Sequence, residues 1–507
     1  LYYDTDEFDN AADATDTFQR NLNACLRGCS RHTGVTLLFR HFLRAGIDVI
    51  GAELMYGSHE ILLSGLRGNA LAYGKTETLA HLALQWHAEP VGGTAYNARY
   101  ALSLRLSYLH GVTQINTEEG LWWTENGFVT HDRFSPVCRD FQATERNFLR
   151  YVSGHTRSGA PARRHALLYG TNENFPSYTD CPAWHKDAPG WEYGPSERAW
   201  EQIRLFYPAA TMTHPRAGDR YNVTQEPGWY SPTPYGLCDI LPAEAPSAVL
   251  SQYPYLAFAG YNTADAEQLE RLIDYVRGGG KLLLCLCHLT TDTNRGNSHA
   301  ADYCTDLLPG CERLTGFRAD VQGADGSMHR HRIGQGEVLT VASYAFPVPG
   351  TPCGEVYAEA LRSLAQASDR AAEVRVEIGD ARVEYAVWDE PDGRATVRLC
   401  GVAWDAPEKP ETVRLIFGGN TVSLPVRPCE ITTATVSADR TLAVQTLDER
   451  GEVLSLAREG DGIRLTVQGE DTCRFRLFGR TPDADGETIE IPLCGSDSLL
   501  LLANVCN

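Results

Sequence analysis

Three segments in the first part of the chain place carboxylates and aromatic rings where a strand is predicted to end. They read GAELMYGSHE, LQWHAEP and NTEEGLWWTENGF. Glycoside cleavage needs such a combination, because one carboxyl group protonates the leaving oxygen, a second attacks or activates water, and aromatic faces stack on sugar CH groups. Two close carboxylates also drive their pKa values apart, so that one can stay protonated as the acid. The pattern favours a carbohydrate site.

The catalytic candidates are Glu53 and one of the adjacent glutamates Glu118 and Glu119. Alternation along a strand turns Glu118 and Glu119 in opposite directions, so at most one of them is expected to face the site. The residues expected to line the sugar site are Tyr56, Gln85, Trp86, His87, Glu89, Asn116 and Trp122. The competing interpretation is that each glutamate is simply solvated or bonded to a helix N-terminus, and that the tryptophans serve packing.

We expect neither a metal nor a cofactor. His59, His131 and His155 show no metal-ligand spacing with His87, and the 15 cysteines include no CxxC pair. There is no GxGxxG and no Walker loop. The GGGK run at Gly278–Lys281 follows a predicted helix and precedes a strand, which is the wrong order for phosphate binding.

Composition limits the classes of partner. A net charge of -20 argues against nucleic acid and anionic membranes, which need basic faces. No apolar run approaches the roughly 18 residues of a membrane helix.

The scattered, odd number of cysteines favours free thiols in a reducing compartment, so we expect a soluble, cytoplasmic protein, with a disulfide-bonded secreted protein as the alternative. The chain starts at Leu1 without a basic and apolar leader, which suggests processing or truncation at its start.

Strand and helix patterns alternate over residues 1–160, in units of about 30 residues that indicate a parallel sheet, doubly wound or a barrel. DTFQRNLNACLRGCSRH is predicted to be a helix and GVTLLF a short strand. IDVIGAE, LAHLALQW and GVTQINTEE are predicted to be further strands, separated by helices.

Residues 161–370 predict a second α/β domain, and residues 371–507 predict antiparallel β-structure, most simply a β-sandwich. In the second domain, TADAEQLERLIDYVRGGG has the spacing of an amphipathic helix that Thr263 can cap. KLLLCLC is predicted to be a buried strand whose Cys285 and Cys287 are core thiols rather than nucleophiles.

Several segments resemble the C-terminal portion of bacterial glycoside hydrolases of the β-galactosidase type that carry a trimerisation domain. They are RGNALAYGKTETLAHLALQWH, GVTQINTEEGLW, YPYLAFAGYN and LIDYVRGGGKLLL, the last two similar to a class I glutamine-amidotransferase-like domain. The resemblance implies the C-terminal part of a TIM-type β/α barrel over 1–160, a flavodoxin/amidotransferase-like doubly wound α/β domain of trimerisation type over 161–370, and a β-sandwich over 371–507. It also implies a carbohydrate substrate and a homo-oligomer, a dimer or a trimer.

The chain departs from this family at the strand that should carry the nucleophile. In those enzymes the acid/base glutamate sits on the fourth barrel strand and the nucleophile on the seventh. With GVTQINTEE as the eighth strand, the seventh ends in Gln85 and Trp86, and Glu89 follows further on. Strands one to four are not found, so the chain is a fragment, is completed by a missing N-terminal segment or a second chain, or has a degenerate barrel.

The sequence therefore predicts a glycoside hydrolase acting on a small oligosaccharide or glycoside. The alternative is a non-catalytic carbohydrate-binding or assembly protein derived from a glycosidase scaffold. An active amidotransferase is a more distant alternative, because no nucleophile elbow presents a cysteine.

Overall fold

The computed structural model describes residues 11–26, 28, 30–34, 38–54, 58–84, 93–118, 123–124, 127–128, 134–155, 157–170, 195–210, 230–259, 265–289, 307–317, 326–406, 408–449, 451–460, 462–469, 472–479, 486–492 and 499–504. Within these ranges the fold is mixed α/β, with several separate sheets. No helix among these residues has the length and apolar character needed to cross a membrane. None of the ten cysteines described forms a disulfide.

The first sheet has four strands that pair in parallel and in chain order. They are β1 (Arg31–Gly34), β2 (Val49–Leu54), β3 (Thr78–Leu82) and β4 (Gln114–Thr117). The helices of this region are α1 (Ala11–Cys25), α2 (Phe39–Ala45), α3 (His59–Ala72), α4 (Thr94–Leu109) and α5 (Pro136–Gly154), and β5 (Trp123–Thr124) pairs with β6 (Gly127–Phe128). No further strand joins this sheet within the described ranges, so it is seen as four strands rather than a closed barrel.

The first described strand begins earlier than predicted. The helix predicted to run through His32 ends at Cys25, and Arg31–Gly34 pairs with Val49–Ala52. Of the predicted strand GVTLLF, Gly34 is the last residue of β1, residues 35–37 lie outside the described ranges, and Phe39 begins α2. Pairing with β2 outweighs local composition here, because the strand is defined by its hydrogen bonds to a neighbour.

The second sheet has six strands in the order β12-β13-β11-β10-β8-β9, and only the edge pair β12–β13 is antiparallel. Its strands are β8 (His165–Tyr169), β9 (Asp239–Pro242), β10 (Tyr255–Phe258), β11 (Lys281–Cys285), β12 (Met328–Ile333) and β13 (Gly336–Val341). Its helices are α6 (Pro195–Arg198), a 3-10 helix at Ala199–Leu205, α7 (Ser247–Leu250), α8 (Ala266–Arg277), a 3-10 turn at Leu286–Leu289, α9 (Cys311–Thr315) and α10 (Pro352–Ala371).

Helices cover both faces of the second sheet. Along β11, Leu282 and Leu284 pack with α8, whereas Leu283 and Cys285 pack into a different core with α10. This alternation makes the sheet doubly wound, with every central strand buried on both sides.

Two details of the second region differ from the sequence prediction. Helix α8 is capped by Asp265, which exchanges hydrogen bonds with Gln268 in a capping box, whereas the predicted cap Thr263 lies outside the described residues. Strand β11 stops at Cys285, so Cys287 lies in the 3-10 turn. Both thiols are fully buried, and burial raises the pKa of Cys285 well above its usual range, which makes it a poor nucleophile.

The third region is built from antiparallel sheets. Its strands are β14 (Val374–Glu377), β15 (Val383–Asp389), β16 (Ala395–Gly401), β17 (Glu411–Phe417), β18 (Asn420–Val426), β19 (Ile431–Val436), β20 (Ala443–Thr446), β21 (Gly451–Glu459), β22 (Gly462–Gly469), β23 (Thr472–Phe478), β24 (Glu487–Pro492) and β25 (Leu499–Asn504). A seven-stranded sheet, β24-β23-β20-β19-β16-β15-β7, takes its edge strand β7 (Ala160–Pro161) from the segment that links the first two regions.

Two three-stranded sheets, β14-β17-β18 and β21-β22-β25, pack on opposite faces of the seven-stranded sheet. Ala443 of β20 belongs to the core beneath the first, and its neighbour Val444 to the core beneath the second. Since successive side chains of a strand point to opposite faces, the region has three β-layers rather than the two of a simple sandwich.

The regions share one large core. Residues of α2–α5, of β8–β11 and of the third region, such as Trp388 and Ile431, form a single buried cluster. Helix α3 lies against β9 so closely that a methyl group on Gly68 would overlap the Ile240 carbonyl. A fully buried Arg40 on α2 forms an ion pair with Glu244 after β9.

Candidate functional site

The carboxyl ends of β2, β3 and β4 place three polar side chains in a row. In the parallel register Glu53 is opposite His81, and His81 is opposite Asn116. Glu118 follows Asn116 by two residues, and its backbone N–H donates to the Leu82 carbonyl at 2.8 Å, which continues the strand geometry beyond β4. Residues two apart share a face, so Glu118 projects to the same side as the row.

The side chains of Glu53, His81 and Glu118 form one compact group. One ligand-capable atom from each lies within 4.8 Å of the other two. The His81 ring has Nε2 3.2 Å from Glu118 Oε2 and Nδ1 3.1 Å from Asn116 Oδ1. The side chain of His81 is 19% exposed and that of Glu118 is 36% exposed, so the group is open to solvent on one side.

The two carboxylates sit in unequal environments. Burial raises the pKa of Glu53; the nearby His81 lowers it, and the negative charge of Glu118 raises it further, with a net shift upward. Glu118 has the imidazole of His81 as a direct partner. The raised pKa favours a proton on Glu53, as an acid of a carboxylate pair requires.

The same three side chains are also a set that could hold a divalent metal ion. Histidine nitrogen and carboxylate oxygen are ordinary ligands for such ions. In the present arrangement, however, both ring nitrogens of His81 face oxygen atoms that accept hydrogen bonds. A metal bond to Nε2 would therefore have to replace its contact with Glu118.

The structure brings together three of the ten residues predicted from sequence, namely Glu53, Asn116 and Glu118. The remaining predicted residues lie outside the described ranges: Glu119, Tyr56, Gln85, Trp86, His87, Glu89 and Trp122. The histidines that the sequence analysis set apart from His87 are structural where described. His59 is buried, with its pKa lowered to about 3 by burial and by Arg99, and His155 bonds to the carbonyls of Tyr151 and Gly451.

Sequence reasoning missed His81, the residue that links the two carboxylates. The available signal was its place in LAHLALQW, where it interrupts the apolar run LAHLAL, on the strand between those of Glu53 and Glu118. An isolated polar residue near the carboxyl end of a buried parallel strand faces the edge where ligands bind.

No family model and no curated protein matches the chain. Solved structures similar to it include a catalytic mutant of a GH42 β-galactosidase from G. stearothermophilus, at 13% identity and TM-score 0.45, which covers 77% of this chain and 59% of that one. A β-galactosidase from Rahnella sp. R3 has 11% identity and TM-score 0.45, with 84% of this chain and 68% of that one covered. An apo exo-carrageenase GH42 from Bacteroides ovatus has 10% identity and TM-score 0.41, with 76% and 48% covered.

The chain thus spans 59% of the length of the first of these proteins and 48% of the exo-carrageenase. With every TM-score below 0.5, these similarities assign neither a reaction nor a substrate to this chain.

Proposed function

We propose that the chain is a glycoside hydrolase in which Glu53 is the acid/base and Glu118 the nucleophile. The observation that supports this most is the pair of carboxylates on one face of a parallel sheet, with an oxygen of each within 4.8 Å of the other. Retaining glycosidases hold their two carboxyl groups about 5–5.5 Å apart, whereas inverting ones need a wider gap for water. The short separation therefore supports a retaining reaction.

The unequal environments assign the two roles. Protonated Glu53 donates its proton to the glycosidic oxygen while the bond from that oxygen to the anomeric carbon breaks. Glu118 attacks the anomeric carbon and forms a covalent glycosyl ester. Glu53, now ionised, takes a proton from water as the water oxygen attacks the anomeric carbon, which releases the sugar and restores both carboxyl groups.

His81 orients Glu118 in this proposal. Its Nε2–H donates to Glu118 Oε2 at 3.2 Å, and the 3.1 Å contact of Nδ1 with the Asn116 side chain fixes the ring plane. The second oxygen of Glu118 makes no contact with His81 and can attack the substrate. His81 is a positioning residue.

The wider proposal follows the sequence analysis. Strands β1–β4 are the C-terminal part of a β/α barrel, and the substrate is a small oligosaccharide or glycoside. The sugar contacts are Tyr56, Gln85, Trp86, His87, Glu89, Asn116 and Trp122. Residues 161–370 serve assembly into a homo-oligomer rather than catalysis, which the burial of Cys285 and Cys287 supports.

Glu53→Gln and Glu118→Gln test the proposal on a panel of nitrophenyl glycosides. Each change keeps the size of the side chain but removes the acid or the nucleophile, so we expect kcat to fall by about 10³-fold or more. Glu359→Gln on the exposed face of α10 is the matched control and should retain full activity. Azide should restore turnover in Glu118→Ala, because a small anion can replace the missing nucleophile.

Full activity in both variants would contradict the proposal. Sugar binding by the unmodified chain without any turnover would instead support a non-catalytic carbohydrate-binding protein.

A divalent metal centre is the second candidate, favoured by the compact set of Glu53, His81 and Glu118. It requires the His81 Nε2 contact with Glu118 to give way to a metal bond. Metal analysis of the purified chain, and calorimetric titration of Zn²⁺ or Mn²⁺ into the chelator-treated protein, test it directly. Stoichiometric binding that is lost in His81→Ala supports the metal, and hydrolysis that persists in chelator supports the carboxylate pair alone.

A further inference from the structure

A second concave site lies between the first and third regions. It is a cleft of about 1190 Å³ formed by the C-terminal end of α5 and by strands β19, β20, β22 and β23. It shares no residue with the Glu53, His81 and Glu118 group. Its volume is slightly above the range of about 300–1,000 Å³ that small-molecule pockets occupy.

Two buried side chains of β20 present unpaired polar atoms in this cleft. Gln445 is 2% exposed and Thr446 is 6% exposed, and both line the cleft. The Gln445 amide N–H donates to the Pro425 carbonyl at 3.3 Å, which fixes the amide orientation. Gln445 Oε1 and Thr446 Oγ1 find no hydrogen-bond partner among the described residues. Buried polar atoms are nearly always paired in folded proteins, so a ligand group bonded to Gln445 Oε1 or Thr446 Oγ1 would supply the missing partner.

The residues that line the cleft also carry a net positive charge, whereas the protein as a whole is negative. Five arginines and three carboxylates line it, in a protein of net charge -20. Arg105 pairs with Glu449 at 3.4 Å, and Arg474 pairs with Asp448 at 3.0 Å.

Two of the other three arginines are available for a ligand. Arg427 forms an ion pair with Glu430 at 3.7 Å, and its side chain is 67% exposed. Arg150 and Arg476 form no ion pair with any residue in the described ranges. Guanidinium groups recognise carboxylate and sulfate oxygens through two parallel N–H bonds, so unpaired arginines in a cleft favour an anionic ligand.

We propose that this cleft binds an acidic saccharide, a polyhydroxylated ligand bearing carboxylate or sulfate groups. The arginines supply the partners for the anionic group. Gln445 Oε1 accepts from a sugar hydroxyl, and Thr446 Oγ1 bonds to a second one. A neutral sugar would leave the arginines unpaired, and a simple inorganic anion would leave Gln445 Oε1 unsatisfied, so only the combination uses both sets of groups.

Calorimetric titrations at low salt test this site. The probes are digalacturonate, a sulfated galactose, lactose and sodium sulfate. We expect digalacturonate or the sulfated galactose to bind at least about 10-fold more tightly than lactose and sodium sulfate, because only the first two have both chemical features. Raising the salt concentration should weaken that binding.

Matched variants locate the binding. Arg476→Gln should weaken the acidic probe by about 10-fold or more, since it removes a charged hydrogen bond, and Thr446→Val should weaken it by several-fold at nearly constant side-chain volume. Arg330→Gln, on the exposed edge strand β12, is the control arginine and should change nothing. Thermal unfolding of each variant confirms that the fold survives.

Four results would overturn the proposal: no binding of either acidic probe, equal binding of lactose, equal binding of sodium sulfate, or unchanged affinity in both Arg476→Gln and Thr446→Val. Glu118→Gln should bind the acidic probe as the unmodified chain does. Retained binding in that variant keeps this test separate from the proposed hydrolysis.

Discussion

At the scale of single residues, the proposed chemistry of the candidate site depends on two glutamates that have different surroundings. Glu53 and Glu118 have identical side chains, yet burial raises the pKa of the first, and a histidine contacts the second. The sequence could indicate that carboxylates gather at strand ends. It could not show which of Glu118 and Glu119 turns toward Glu53, or that His81 stands between the pair, because both depend on the register of β3 against its neighbours.

His81→Gln tests the positioning role. The histidine lowers the pKa of Glu53, so its removal should let that pKa rise. A glycosidase loses activity as its acid deprotonates, so the alkaline limb of the kcat/KM profile should move to higher pH, and kcat should fall by about 10-fold. Profiles of the unmodified and variant enzymes from pH 4 to about pH 9 measure both effects. If the alkaline limb of the kcat/KM profile does not move, His81 does not influence the acid, and its proposed role is wrong.

At the scale of elements, hydrophobic periodicity predicted the strands and helices that carry the site. IDVIGAE overlaps β2, LAHLALQW overlaps β3, and the helices predicted between the strands overlap α3 and α4. Element ends were less predictable, because they depend on partners distant in sequence. KLLLCLC looks like one strand, but the Cys285 N–H donates to His288 Nδ1 and the Cys287 N–H to the Ser343 carbonyl, which turns the chain after Cys285.

Gly68→Ala tests the packing of α3 on β9. The added methyl group would overlap the Ile240 carbonyl, so either the helix or the strand has to move. We expect a loss of about 1–3 kcal/mol in the free energy of unfolding, which is the usual cost of overpacking. Urea unfolding measures it. Gly154→Ala at the end of α5 is the control, because nothing lies within 4 Å of its added methyl group and the change should be neutral or slightly stabilising.

At the scale of the whole molecule, the three sequence regions can be recognised by their strand patterns but do not pack as separate bodies. One core runs through residues of all three. Ion pairs also join segments that are distant in sequence: Arg40 pairs with Glu244, and Arg105 pairs with Glu449. Periodicity reports local structure only, so nothing in the sequence indicated that α3 would lie against β9 or that the third region would have three layers.

Glu244→Gln tests the buried ion pair between α2 and the second sheet. Burial alone would raise the pKa of Glu244, but the charge of Arg40, supported by Arg44 and Tyr73, outweighs it and lowers the pKa to about 2 from an ordinary 4.5. A lowered carboxyl pKa stabilises the fold above pH 4.5, and that contribution is lost as pH falls toward 2. We therefore expect the variant to lose roughly 3 kcal/mol at pH 7.

Urea unfolding at pH 7 and at pH 3 checks this expectation. The difference between the unmodified chain and Glu244→Gln should shrink at the lower pH, where the unmodified carboxylate has lost much of its advantage. Glu359→Gln, which changes an exposed carboxylate, should show little difference at either pH. A difference that is the same at both pH values would show that the pair does not act through its charge.

The shared core also determines when the apolar surface of the first helices can be buried during translation. Phe39 and Ile431 belong to the same buried cluster, so the apolar surface of the first helices cannot be fully covered until the segment around Ile431 has left the ribosome. At about 5–20 residues per second, the 392 residues from Arg40 to Ile431 take roughly 20–80 s to translate. Throughout that interval the nascent N-terminal region carries exposed apolar faces. Its yield in cells should therefore depend on chaperones that bind such surfaces during translation.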